Sequence, residues 1–491
     1  MLMVITFFLS MILAFASFFM GKKARLFSIA SAWLMAILVG IYIYMTFGGG
    51  YHGGIVSQYN FQIAPSIGIS FTTGVTGFTG ALIALSAVII LVSLMVVEKD
   101  SENSIYGLIL STEVGLFGLL ISRNFLFFYI FWEVVLIPMY FLIIRFGGAK
   151  RDRVGLKFFV YTHIGSVFIL LAFFTLYNYY YLSTGEFTLD MGTLMNTAFI
   201  TGHIPVFWRD FMLFGFLIGF LVKLPSFPVH SWLPDTYQTA PYPGTIILAG
   251  GLSLMGGYGL FGILLPASGI FSSTLLYFLA FLGILSLVYF SFVAMFQKDI
   301  KRMMAFASAA AMGFVTISFA VGILEHSYTQ VLELSGGMFQ IIAHGFIMAL
   351  IFASLYYIRR NTGSEMTYGL GGIYREAPLM SSFMLAGLFA SLGLPGLAGF
   401  IGEFSIVVGV YQGITWWIFF IILGMIVTAS YHVWVAQRAL YGPYNEHLGH
   451  IRDINRKEFA TLCGLLVLIF VLGVFPNLLD GLLTAYVGGL I

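Results

Sequence analysis

Runs of about twenty apolar residues recur along this chain some fourteen times, parted by short polar gaps. A helix of that length spans the roughly 30 Å hydrocarbon layer of a bilayer, and it satisfies its own backbone polar groups where no water can. The runs fall near 1–20, 25–46, 75–97, 103–121, 124–144, 156–178, 209–226, 242–264, 272–295, 302–323, 332–357, 377–410, 413–436 and 460–482. Composition agrees: 60% of the 491 residues are hydrophobic and 9% are charged, against roughly 25% charged in a soluble domain. The expected fold is an all-α polytopic membrane protein of about fourteen transmembrane helices. The first run carries no charge at its start and no clear cleavage site, so it is expected to be a span rather than a signal peptide. The single cysteine, Cys463, excludes an intramolecular disulfide.

Two gaps are long. Residues 47–74 contain Gly48-Gly49-Gly50, residues 179–208 are polar, and residues 437–459 are expected to include a helix on the membrane surface. Charge placement then orients the chain. Lys22, Lys23, Arg25 and Lys99 follow odd-numbered spans. So do Arg145, Arg151, Lys157, Lys301, Arg302, Arg359, Arg360 and Lys457. The other face offers Arg123, Arg209, Glu186, Asp190 and Glu325. By the positive-inside rule the odd side is cytoplasmic and both termini face outward.

Ionisable groups inside the spans suggest what the protein does. A charge at mid-membrane costs on the order of 2.5–3.5 kcal/mol, and such groups are usually retained for ion or proton handling. Glu133 lies within the fifth run, five residues before Pro138; the alternative is a helix–helix hydrogen-bonding anchor. Lys223 lies where Pro225 and Pro228 end or break the seventh span, with snorkelling to the membrane rim as its alternative. Set ~4 Å from Glu133, it would couple to that carboxylate by ~4 kcal/mol at an effective dielectric near 20. Glu403 follows the interruption at Pro395-Gly396, and broken helices in a membrane are tolerated where they line a polar cavity. His344 and His163 add imidazoles able to pass protons near neutral pH, or to serve as structural hydrogen-bonding groups. Glu113 is the second choice for the first carboxylate. Scattered single groups fit a proton relay better than the ligand rings of a cation filter. No nucleotide loop or metal-ligand spacing is present, so no cofactor, metal or covalent chemistry is expected in this chain, and no nucleic-acid partner.

Spans 7 and 12 each join an ionisable residue to a proline break, and spans 6 and 11 each carry a histidine. Both pairs are five spans apart, an odd number, which predicts two inverted five-helix repeats containing broken helices. The expected organisation is N-terminal helices 1–3 over residues 1–100, a first repeat over 101–265 and a second over 266–440. A surface segment and helix 14 complete it over 441–491.

Phe131-Trp132-Glu133, Lys223-Leu-Pro-Ser-Phe-Pro-Val-His-Ser-Trp-Leu-Pro-Asp235, Gln297-Lys-Asp-Ile-Lys-Arg302, Ala343-His344-Gly345 and Gly402-Glu403-Phe404 strongly resemble the antiporter-like proton-pumping subunits of respiratory complex I. The likeness extends to Mrp-type Na⁺/H⁺ antiporters and membrane-bound hydrogenases, and covers nearly the whole chain. With a glutamate at the distal position the chain looks most like the M-type subunit (subunit 4). The resemblance implies an ion pair of Glu133 and Lys223, a connecting His344 and a terminal Glu403 exchanging protons with the outside. It further implies L-, N- and K-type neighbours beside the lipids. Quinone, and iron–sulfur clusters or flavin, would be held by partner subunits, and the setting would be a prokaryotic cell membrane.

The chain departs from that family at three positions. Leu254 stands where relatives usually place a central lysine, Ala311 replaces a histidine, and Asn124 replaces an aspartate. Waters held by Ser253, Tyr258, Ser308 or His344 would be needed to bridge the gap. Two further readings therefore stand beside proton translocation: an Mrp-type cation/proton antiporter subunit, and a structural membrane scaffold with a degraded path.

Overall fold

The computed structural model describes residues 1–98, 100–324, 329–413 and 415–490; Lys99 and Glu325, used above for orientation, lie outside the described residues. Among the described residues, eleven helices are long and apolar enough to cross a bilayer. They are α2 (Ala24–Phe47), α3 (Gly77–Met95), α4 (Ser104–Ile121), α5 (Phe125–Phe146), α6 (Arg151–Thr184), α8 (Tyr242–Ile270), α9 (Ser273–Met295), α10 (Ile300–Leu324), α11 (Gln330–Thr362), α13 (Ile418–Tyr441) and α14 (Arg456–Val474). Three further elements bring the crossings to the expected fourteen: α1 (Leu2–Ser17), α7 (Val206–Lys223), and α12, divided into α12a (Pro378–Ser391) and α12b (Ala398–Gly413). A short helix, α15 (Asn477–Gly488), follows α14 after Pro476, so the last predicted run is two helices rather than one.

Burial sorts these helices into a core and a sheath. The spans of α8 and α11 are wholly enclosed, and α10, α3 and α4 nearly so; α2, α13 and α14 are mostly exposed to the surroundings. α8 can sit at the centre because glycine replaces side chains where it meets its neighbours. A Cβ on Gly256 would meet the Leu224 amide at 2.6 Å, and one on Gly257 would run into Ile341. α8 is π-helical over Leu248–Leu252 and again over Gly259–Leu264, on either side of an α-helical turn at Ser253–Tyr258. Such wide turns are uncommon and frequently mark functional positions.

Both breaks predicted from proline occur. α7 stops at Lys223, and a seven-residue helix of about two turns, Leu233–Thr239, follows before α8. α12 is interrupted over 392–397, where Gly393 and Gly396 take φ of +77° and +92°, values that favour glycine. By contrast α5 runs through Pro138 without interruption.

The two long gaps are ordered. Residues 47–74 hold an antiparallel hairpin of β1 (Val56–Ala64) and β2 (Ile69–Val75), turned at Gly68 with φ +74°. Residues 179–208 contain the last turns of α6 and two short helices, Met191–Leu194 and Thr197–His203. Asn124 joins these pieces. Its Oδ1 accepts from the Leu126 amide as the N-cap of α5, and its Nδ2 donates to the Gly68 carbonyl. At 437–459 the expected surface helix is absent among the described residues. The segment is the π-helical end of α13 and one 3₁₀ turn, Glu446–Leu448, because Gly442, Pro443 and Gly449 interrupt any longer helix.

Candidate functional site

The α7 break leaves Lys223 as the last helical residue, almost wholly buried. Its backbone surroundings are fully used. The Trp232 indole donates to the Val222 carbonyl at 3.0 Å, and the Phe227 amide donates to Ser286 Oγ at 2.9 Å. The ammonium is different. It has no hydrogen-bond partner among the described residues and lies 5.4 Å from the centre of the Trp132 ring. The expected contact pair with Glu133 is not formed: no ion pair within 4 Å joins them, although each lies in the other's field. The partner of Glu133 is His163, whose Nδ1 is 3.0 Å from Glu133 Oε2, while Oε1 has no partner. This carboxylate–imidazole pair is not enclosed. The His163 side chain is 45% exposed, and Ile130, Ile137 and Phe141, one to two turns along the same face of α5, are exposed too. Glu113 on α4 is buried, with Oε1 unpaired.

Just past the break, the Trp-Leu-Pro-Asp and Gln-Lys-Asp-Ile-Lys-Arg segments clamp each other. Asp235 accepts from Lys157 and from Arg302, both at 2.8 Å, and Gln238 donates to Asp299 at 2.8 Å. Lys301 donates to the Ala240 carbonyl at 2.5 Å and lies over the Tyr242 ring. Burial opposes ionisation of Asp235, yet the two cations prevail and hold its carboxyl below the usual aspartate value. Asp299, with burial as the dominant influence, is held above it. The two segments thus brace α6, α8 and α10 at the break.

Leu254 lies on the Ser253–Tyr258 turn of α8, which packs against both α7 and α11, and is completely buried. Around it are hydroxyls of Ser253, Tyr258 and Tyr237, each without a protein partner among the described residues. The Tyr237 hydroxyl lies beside both Ser253 and Ser308 without reaching hydrogen-bond geometry to either. Ser308 in turn is 2.9 Å from His344 Nε2. Ala311 is half-buried one turn further along α10, so the hydroxyl that meets the α11 imidazole comes from Ser308 instead.

Glu403, on α12b, is 5% exposed and lies against Gln340, which is one turn from His344 on α11. The break holds this carboxylate by backbone proximity. A Cβ on Gly393 would meet Glu403 Oε2 at 2.5 Å, and one on Gly402 would meet Gln340 Oε1 at 2.5 Å. Tyr431 of α13 is also close, its hydroxyl unpaired. Among the described residues no three of His, Cys, Asp and Glu gather closely enough to hold a metal ion.

Three residues absent from the sequence expectations thus belong to the arrangement, Tyr237, Gln340 and Tyr431, and Ser308, expected there as a holder of water, meets His344 directly. Gln340 stands four residues before His344, a spacing that puts both on one helix face and was visible in the sequence. Nothing local marked Tyr237 or Tyr431.

The family model for the transmembrane part of NADH:quinone oxidoreductase and the Mrp antiporter matches residues 122–428, which includes both breaks. The F420H2 dehydrogenase subunit M of Methanosarcina mazei is 38% identical over 418 residues, covering 84% of this chain and 82% of that one. The NADH-quinone oxidoreductase subunit M of Rickettsia prowazekii is 33% identical over 473 residues, 93% of this chain and 91% of the relative. A chain of respiratory complex I from Thermus thermophilus superposes over the full length of both with a TM-score of 0.86 at 24% identity. The family match across both broken helices, those of Lys223 and Glu403, together with these subunit M relatives, makes this chain a member of the NADH:quinone oxidoreductase/Mrp antiporter membrane family.

Proposed function

We propose that this chain translocates protons within a complex I-like quinone oxidoreductase, from the Glu133–His163 pair past Lys223 and His344 to Glu403. The observation that carries this is Lys223. An ammonium without a protein partner can change its protonation state without breaking a hydrogen bond, and its field changes whenever Glu133 gains or loses a proton. Because the two are apart rather than in contact, their coupling is smaller than the ~4 kcal/mol of a pair at 4 Å. The pair biases the lysine; it does not lock it.

From Lys223 the route follows side chains able both to give and to accept a proton: Ser253, Tyr237, Ser308 and His344. Buried hydroxyls without protein partners are ordinarily hydrogen-bonded to water, which supplies the links that Leu254 does not. Gln340 orients the Glu403 carboxylate, which takes the proton through water at the end of the route. Electron transfer, quinone chemistry, and any iron–sulfur cluster or flavin belong in this reading to partner subunits. A neighbouring chain of the L, N or K type is supported by the exposed Glu133–His163 face, since a carboxylate at mid-membrane faces protein or water rather than lipid.

The test replaces Glu133 by Gln and, separately, Glu403 by Gln in the intact complex, with proton pumping measured in sealed vesicles against electron flow. The expected result is a lower proton-to-electron ratio in both. An unchanged ratio in both removes the conducting role and leaves the scaffold reading, which the apolar Leu254 favours. Pumping that depends on Na⁺ would instead move the chain to cation/proton exchange.

A further inference from the structure

A groove of about 1010 Å³ opens on the flank of the protein, between α2 and α14, with α3 as its floor. These two walls stand apart: α2 packs on α1, α3 and α4, and α14 on α11 and α12. The lining is predominantly apolar. Trp33 is 48% exposed in one wall, and Gly464 in the other faces space in which an added Cβ would meet nothing within 4 Å.

The charge is all at one end. Lys22 and Arg25 precede the α2 wall and Lys457 begins the α14 wall; none of the three forms an ion pair among the described residues. The carboxylate at the same rim, Glu458, is already taken by Arg360 at 2.8 Å. Three free cations therefore crown the groove.

Its depth decides what it holds. From Arg25 to Ala36, and again from Lys457 to Leu468, the lining residues span about 16 Å at 1.5 Å per helical residue. That is the depth of one leaflet, half of the roughly 30 Å hydrocarbon layer. A transmembrane helix from another chain would need walls twice as long. Apolar walls one leaflet deep, closed by lysine and arginine at headgroup level, have the shape and charge of a phospholipid with an anionic headgroup.

We propose that this groove is a binding site for one anionic phospholipid, its phosphate held by Lys22, Arg25 and Lys457 and its acyl chains lying along Trp33 and Gly464. It is independent of the proton route, since none of these residues lies on it.

The test uses the intact complex in phosphatidylcholine vesicles that carry the same minor fraction of either phosphatidylglycerol or phosphatidylcholine brominated on the acyl chains. Quenching of Trp33 is read as the difference between the wild type and Trp33→Phe. Brominated phosphatidylglycerol should quench about tenfold more effectively, and Lys22→Gln, Arg25→Gln and Lys457→Gln should each weaken its binding about fivefold. Gly464→Leu, which adds bulk only to open space, should lower quenching by both lipids. Equal quenching by the two lipids in the wild type overturns the headgroup assignment. Absence of quenching by either, with a benzophenone side chain at position 464 cross-linking to a neighbouring protein, overturns the lipid assignment altogether.

Discussion

The two broken helices solve one problem with different materials. At the α7 break the chain is held by charge: Asp235 between Lys157 and Arg302, with Gln238, Asp299 and Lys301 beside them. At the α12 break no such network surrounds Glu403 among the described residues. There the backbone itself closes in, with Gly393, Gly399 and Gly402 admitting neighbours that a side chain would exclude. The α7 break faces the outer flank through Glu133 and His163, where solvent or a partner can reach; at the α12 break Leu394 and Pro395 are exposed, while the Glu403 carboxylate is buried. Ion pairs are sensible where water can share their desolvation cost, and close backbone packing is the cheaper solution where it cannot.

The largest expected effect breaks the distal side. Gly393→Ala adds left-handed strain, on the order of 1–3 kcal/mol, and also drives a Cβ into the Glu403 carboxylate. Gly396→Ala carries similar strain into empty space. Both variants should lose thermal stability to a like extent, but only Gly393→Ala should lose pumping, by about tenfold, in vesicle assays. Equal pumping in the two would mean that Glu403 does not depend on the shape of the break.

Next comes Gln340→Leu, which removes the polar neighbour of Glu403 without touching the charged brace. Pumping should fall severalfold while the melting temperature of the complex hardly moves. A stability loss above about 2 kcal/mol would mark Gln340 as a structural group instead.

On the proximal side Asp235→Asn should cost about 1 kcal/mol, reduced from a buried-pair value because the carboxylate is 36% exposed. Its cost should shrink at high salt, which screens exposed pairs, whereas the cost of Gly393→Ala should not.

The smallest effect is in acid. The folded-state pKa of Asp235 lies below its unfolded value, so its stabilisation is complete above the unfolded value and disappears as pH falls through the folded one. Asp299 has the opposite sign: its raised pKa favours the protonated folded form, and that contribution declines as pH rises through the same region. Melting temperatures of wild type and Asp235→Asn should therefore converge on acidification below the ordinary aspartate range, and a constant gap would contradict the assigned shift.

Much of this was legible in the linear chain. Span positions followed from apolar runs, and both interruptions from the pairing of proline with a second proline or with glycine at 225–228 and 393–396, whereas the lone Pro138 leaves α5 continuous. Glu133, Lys223, His344 and Glu403 stood out as candidates because a charged or polar group in an apolar run is conspicuous. Not legible were the hairpin at 56–75, whose strands alternate too weakly to announce themselves, and the π-helical turns of α8, which arise from packing at the glycines. The identity of the partner of Glu133 was not legible either: Lys223 and His163 were both available, and only the crossing of α5 with α6 selected the histidine.

The sequence alone determined that the chain crosses a membrane about fourteen times and where its helices are open to breaking, since hydrophobic length and the missing proline N–H are local properties, although α5 runs through Pro138 unbroken. The tertiary structure alone decided which polar groups meet across those breaks, that Tyr237, Ser308 and Gln340 stand between Lys223 and Glu403, and that α2 and α14 leave a groove one leaflet deep. Those depend on how helices far apart in the chain pack side by side, which no window of residues contains.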